Sequence, residues 1–295
     1  MVQQPDLLVQ ETPAQRLEQA IVEFVRSSPE NCLAKIDGSP IFEEPLVAFA
    51  DGHDPLFLQY KTIIGDFHLT PREVMEHHFG PEAAQVGISV VSWVLPIARK
   101  TRMSNRRMSH RPSQRWSHTR WYGEHFNDQL RQHVVALLTN WGYRAVAPAL
   151  SSLFHIVEHF GARISNWSER HVAYAAGLGT FSLNDGFITP KGIAMRCGSV
   201  VTDLSLPASP RNYSSHTANC RFYRGISCQV CAERCPAGAI TAQGHDKTLC
   251  NRYMRETLRH LRGEYGVDIV GCGLCQTKVP CESRIPSARG SQASA

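Results

Sequence analysis

Eight cysteines crowd the chain from residue 220 on, and one stretch there reads Cys228-Gln-Val-Cys231-Ala-Glu-Arg-Cys235-Pro236. A C-x₂-C-x₃-C-P spacing is the end of the run by which bacterial ferredoxins hold iron–sulfur cubanes through thiolates. The last cysteine of such a run reaches a second cluster, so the spacing predicts another group downstream. Cys250, Cys272, Cys275 and Cys281 supply it. Gly225 stands where the first ligand of the run would sit, and Cys220 is the substitute. Crossed ligation then assigns Cys220, Cys228, Cys231 and Cys281 to one [4Fe–4S] cluster and Cys235, Cys250, Cys272 and Cys275 to the other. Zinc sites favour two C-x₂-C pairs without the trailing Cys-Pro, and disulfides need an oxidising compartment. Radical S-adenosylmethionine chemistry needs C-x₃-C-x₂-C, an order no run here has. The remaining thiols, Cys32 and Cys197, lie among apolar residues and read as buried and inert.

Such a module needs little chain, and 295 residues leave room for a larger domain ahead of it. The expected division is an α+β domain over 1–215, a cysteine module over 216–285 and a small, polar, disordered tail over 286–295. Thr12 to about Arg26 has a helical stripe of Leu17, Ile21, Val22 and Val25 behind a loose arm. Thr70-Pro71-Arg72-Glu73 is a capping box with proline in the first turn, and Gly80 ends that helix. Pro45–Ala50, Val86–Ile97, Tyr143–Ala147 and Ile193–Leu204 read as strands. Helices are expected over Gly123–Trp141, Leu150–Phe160, Ser168–Ala176 and Lys247–Arg262. No apolar run spans a membrane and residues 1–20 lack a signal-peptide pattern, so a cytoplasmic location is expected. The formal charge of +5 falls to about +1 once eight thiolates and two oxidised cores are counted, which argues against a nucleic-acid-coating protein.

Residues 83–123 hold no Asp or Glu but eight Arg or Lys, with Trp116, Trp121 and Tyr122 at the end. Arginine forks match phosphates and carboxylates, so this stretch is either an anion-binding element or a solvated basic loop. His155-Ile-Val-Glu158-His159 fits the H-x-x-E-H pattern of some zinc peptidases, but the plainer account is an amphipathic helix with surface histidines.

Ser168 to Phe181 with its Gly177-Leu178-Gly179, then Leu183–Thr189 and Gly198–Pro207, resemble the corrinoid-binding core of the epoxyqueuosine reductase and reductive dehalogenase superfamily. Cys235-Pro-Ala-Gly-Ala-Ile240, Cys250-Asn-Arg-Tyr253 and Gly271-Cys-Gly-Leu-Cys-Gln276 extend the resemblance, which covers about residues 165–285. It implies a nitroreductase-like corrinoid-binding domain followed by a bacterial two-[4Fe–4S] ferredoxin-like domain. It also implies base-off cobalamin, with Gly177, Leu178, Gly179, Thr202 and Tyr253 as contacts. Where epoxyqueuosine reductases carry a proton-donating Asp, aligning on Leu130 puts His125. Reductive dehalogenases use a Tyr with a basic partner, which Tyr122 beside Arg120 could imitate. The expected activity is that of a cobalamin-dependent oxidoreductase fed by a low-potential ferredoxin or flavodoxin. An anionic small molecule or transfer RNA (tRNA) is the expected substrate class. The rival expectations are an electron carrier that reactivates a partner's corrinoid, and a reductase working with clusters alone.

Overall fold

A computed structural model describes residues 11–287 apart from 86 and 160–161. The expected loose arm and the last eight residues of the expected tail lie outside the described residues. Thr12 and Gln15 form a reciprocal capping box at α1 (Pro13–Ser27), which buries Leu17, Ile21 and Val25. β1 (Leu46–Asp51) leads to α2 (Pro55–Ile63), capped by Asp54. α3 (Pro71–Phe79) has the expected Thr70–Glu73 box and ends at Gly80. β2 (Ser89–Pro96), buried along its whole length, is followed by α4 (Arg99–Arg106) and the long α5 (Gln114–Asn140). The Ser113 hydroxyl accepts from the Trp116 amide at 3.1 Å and starts α5 nine residues before the expected Gly123. The polar first turns hid that start, because their buried face is made of Trp116, Ser117, His118 and Thr119 and not of aliphatics.

β3 (Ala145–Val146) is shorter than expected. The expected helix over Leu150–Phe160 is a correction: the chain there forms β4 (Ile156–His159), paired antiparallel with β5 (Ala162–Ser165). Asn166 fixes the approach, its side chain accepting from the His155 amide at 3.0 Å and donating to the Leu153 carbonyl at 2.7 Å. β-Branched Ile156, Val157 and Ile164 then suit paired strands better than a helix. α6 (Glu169–Ala175), β6 (Thr180–Phe181), β7 (Phe187–Ile188) and β8 (Met195–Thr202) complete this part.

The main sheet has the order β1-β2-β8-β3, antiparallel throughout. Alternation along β2 sends Val91, Trp93 and Leu95 into a core with α1 and α5, and Val90 and Val94 into a core with α2, α3 and α6. Trp93 lies opposite Gly198 in register, and a Cβ at Gly198 would meet the indole at 2.5 Å. Helices on both faces of an antiparallel sheet make this an α+β fold.

The cysteine-rich part adds α7 (Val230–Glu233), the short pair β9 (Ile240–Thr241) and β10 (Gly244–His245), α8 (Lys247–Arg252) and α9 (Leu261–Tyr265). A π-type turn, Tyr253–Thr257, breaks the helix expected over Lys247–Arg262. The acid-free segment holds this part in place. Arg106 pairs with Glu282 at 3.3 Å and Arg111 with Glu264 at 3.0 Å. Arg102, nearly buried, lies between Glu43 at 3.4 Å and Glu282 at 3.8 Å. Asn105 donates to Thr277, Arg234 donates to the Met108 carbonyl, and a ring nitrogen of His118 meets the Tyr265 carbonyl at 2.7 Å. Arg115 is taken by Asp37 at 2.7 Å. Much of the basic stretch therefore fastens the fold.

Candidate redox site: two cysteine quartets and an arginine-walled cavity

The eight cysteines separate into the two sets that crossed ligation requires. Cys220, Cys228, Cys231 and Cys281 line one pocket with Leu183, Ile188 and Val279. Cys235, Cys250, Cys272 and Cys275 line the wall of another, of about 250 Å³. Turns in the chain bring each set together: α7 carries Cys231, α8 carries Cys250, and the Ile193 amide donates to the Cys281 carbonyl at 2.8 Å. Asn184 donates to the Cys275 carbonyl, also at 2.8 Å.

Both sets consist of thiols, Cys220 buried and the other seven half-buried. None of these cysteines is in a disulfide. Burial first, then Cys220 and Cys228, pushes the Cys231 thiol up to about 12. Burial, with Cys250 and Cys235 beside it, raises Cys272 to about 11, and Cys275 feels Cys231 of the other set as well. The two quartets therefore adjoin. Among the described residues no three His, Cys, Asp or Glu side chains converge as the ligands of a single metal ion would. Tetrahedral zinc would hold its sulfurs within about 4 Å of each other, given a Zn–S bond near 2.3 Å, whereas a four-iron core spreads them.

The second quartet's pocket continues into a cavity of about 490 Å³. Arg120, Arg170, Gly186, Met195, Arg196 and Gln276 line both. Glu124, Arg131, Glu169 and Cys197 line the larger part. Six of these residues come from α5 and β8, and α6 supplies Glu169 and Arg170. Arg120, Glu124 and Arg131 share one face of α5, with Asn127 between them. Asn127 accepts from the Trp93 indole at 2.9 Å and donates to the Cys197 carbonyl, tying that face to the sheet.

Arg131 is the buried hub. It donates to Asp128 at 2.6 Å and to Glu124 and Glu169 at 3.1 Å each. Ser199 donates to the second oxygen of Glu169 at 2.6 Å. Burial raises Glu169 above the ordinary carboxylate range in spite of Arg131. Burial would raise Glu124 too, but Arg196, Arg131 and Arg120 outweigh it and hold that carboxyl low. One carboxyl is thus biased toward its protonated form and its neighbour toward its ionised form, the arrangement acid–base chemistry uses. Cys197 is inert: burial, with Glu169 nearby, pushes its thiol up to about 12.

The expected proton donors lie elsewhere. His125 is exposed, its ring 4.4 Å from that of Trp121. Tyr122 packs between two hydrophobic clusters with Lys35 over its ring. Neither lines the cavity, because positions 122 and 125 fall on other faces of the helix than 120, 124 and 131. Of the residues expected at a corrinoid, Tyr253 lines the quartet's pocket, and its hydroxyl donates to the His110 carbonyl. Gly177, Leu178, Gly179 and Thr202 line neither part of the cavity. A Cβ at Gly177 would meet the Pro210 carbonyl oxygen at 2.5 Å, and one at Gly179 the Ile188 oxygen at 2.4 Å. Both glycines serve the chain's own packing. Thr202 is buried and donates to the Arg144 carbonyl at 2.8 Å. As a set, these five residues do not fit one corrinoid. The cavity carboxylates were missed, although Arg120, Glu124, Asn127 and Arg131 form a polar stripe at helical spacing within an apolar-patterned helix.

No family model matches the chain, and no curated protein does. A solved structure, that of selenomethionine-labeled epoxyqueuosine reductase, matches with a TM-score of 0.47 and 18% identity over 92% of this chain and 70% of the other. A likeness of that extent assigns neither a family nor an activity.

Proposed function

We propose that the chain is an iron–sulfur oxidoreductase whose two four-iron clusters carry electrons to a molecule in the arginine-walled cavity. One observation carries this reading: two cysteine quartets, interleaved in sequence, gather around two adjoining pockets, and the second opens on the cavity. The clusters would supply one-electron steps at low potential. The protein's own groups do the rest. The quartets hold the iron, with Cys220, Cys228, Cys231 and Cys281 nearer Tyr223 and Arg221, where an external ferredoxin or flavodoxin would deliver electrons. Glu169 is the group able to release a proton into the cavity, and Glu124 the group able to accept one. Arg131 holds both in place.

A second reading separates on the cofactor. Cobalamin, implied by the sequence resemblance, would have to sit in this cavity, and of its expected contacts only Tyr253 is there. That placement favours a reductase that works with clusters alone. The deciding experiment is anaerobic reconstitution with iron, sulfide and cobalamin, followed by gel filtration. About eight iron and eight sulfide per chain supports the clusters. Stoichiometric zinc without acid-labile sulfide would remove the whole proposal. Cobalamin kept at about one per chain, with its base-off Co(II) spin-resonance spectrum, would restore the corrinoid enzyme and refute the cluster-only reading.

A further inference from the structure

The charges around the cavity do not balance within the protein. Arg131 is shared among Glu124, Asp128 and Glu169, and Arg120 has Glu124 at 3.6 Å. These two arginines take the close ion pairs of the cavity-wall carboxylates, and Glu124 reaches Arg196 only through its longer-range charge. Arg170 and Arg196 have no ion pair among the described residues. Arg170 is exposed and donates to the Asp185 carbonyl. The Arg196 side chain makes no hydrogen bond, and its Nε is without a partner. Burial, and Arg120 beside it, pulls the Arg196 guanidinium down to about 9, so it is still charged at neutral pH. Arg196 is half-buried, and a partly desolvated cation with no close partner destabilises a fold unless something compensates it. Here it stands on the central strand β8, opposite Leu95, where a shorter apolar residue would satisfy the sheet.

We infer that Arg170 and Arg196, with Arg120 at their side, form an anion subsite, and that the molecule entering the cavity carries a phosphate or carboxylate group. The three guanidiniums come from three elements, α5, α6 and β8, and line one opening. A planar fork presents two donors to either kind of oxyanion, which a lysine ammonium does not do. The subsite lies between the second quartet and the Glu124–Glu169 pair. An anion held there would present the rest of its molecule to both the electron source and the proton source. The inference deepens the oxidoreductase reading and rests on it only for what happens at the ligand's other end. The residues differ from those the acid-free segment suggested, since Arg170 and Arg196 lie outside 83–123.

The test is titration calorimetry of the cluster-loaded full chain, without oxygen and at fixed ionic strength, with inorganic phosphate and with acetate. Wild type should bind one equivalent, and the tighter of the two probes assigns phosphate or carboxylate. Arg196→Met and, separately, the exposed Arg170→Met should each weaken that probe about tenfold or more, the size of a lost charged hydrogen bond. Arg99→Met, in the acid-free segment and away from the cavity, should leave it unchanged. Iron and sulfide analysis of each variant keeps a folding or cluster defect distinct from a lost subsite. Wild-type protein that binds neither probe overturns the inference. So does unchanged probe affinity in both variants with a lowered cluster potential, since the arginines would then merely offset the cluster's negative charge.

Discussion

Gly273 stands between Cys272 and Cys275, with φ of +60°, and a Cβ there would lie 2.0 Å from the Trp116 indole. Replacing it by alanine therefore adds two penalties. A left-handed backbone at a residue with a Cβ costs about 1–2 kcal/mol, and an overpacked contact with a large buried ring adds about 1–3 kcal/mol. The structure supplies its own control. Gly238 also has φ of +60°, but no atom lies within 4 Å of its would-be Cβ. Gly238→Ala should thus lose only the backbone share, about 1–2 kcal/mol, and Gly273→Ala about 2–5 kcal/mol. Because Trp116 also lines the second quartet's pocket, the larger loss should be accompanied by loss of one cluster. The assay is urea unfolding of anaerobic holoprotein, with iron counted on the same samples. Trp116→Ala should cancel the excess in a double-mutant cycle, because it removes the clashing ring. Equal costs for the two glycines, or a full iron count in Gly273→Ala, would refute the reasoning.

Cys228→Ala and Cys272→Ala should each lower iron from about eight to about four per chain, read by chemical analysis and spin resonance. Glu169→Gln should reduce turnover of any substrate the wild type reduces by about 10²–10⁴-fold while the clusters stay intact, the usual share of a general acid; His125→Ala should leave the rate at wild type. Stability should fall as pH drops below about 6.5. Burial, with Lys61 nearby, holds His68 at about 4, and burial, with Arg170 nearby, holds His171 at about 3. The unfolded chain therefore takes up protons that the folded one refuses, at about 1.4 kcal/mol per pH unit per histidine between pH 6.5 and 4. Denaturant midpoints across that range check the slope, and His68→Gln should lower it by about 1.4 kcal/mol per pH unit.

Much of the scaffold was legible because its signals are local. The Thr12 and Thr70 boxes, the glycine stop at Gly80 and the fully apolar β2 each need a few neighbouring residues to be read. The crossed assignment of the cysteines is an expectation from spacing, and the structure adds that each set lines one pocket. The 150–160 segment misled because the strand preference of Ile156 and Val157 is weak in so short a run, and the deciding partner, Asn166, lies beyond the window. The cavity was illegible for a different reason. Which face of α5 turns toward the quartets depends on Asn127 meeting Trp93 across 34 residues, and Arg196 acquires its role only once β8 is paired. The basic stretch looked like a ligand site since its carboxylate partners, Asp37, Glu264 and Glu282, are remote in sequence.

The nesting of one quartet inside the other also couples their assembly. Every cysteine of the second set, from Cys235 to Cys275, lies inside the segment that Cys231 and Cys281 close. Loading the first cluster as proposed would cross-link that segment of roughly 50 residues, a constraint of about 4 kcal/mol by the chain-entropy relation. The loop carrying the second quartet would then be corralled before its own iron arrives, and its closure would need far less ordering. In the reverse order, closing the second set draws together Cys231, four residues before Cys235, and Cys281, six residues after Cys275, and the gain is the same. The two sites should therefore fill cooperatively, with loss of either quartet weakening iron retention by the other.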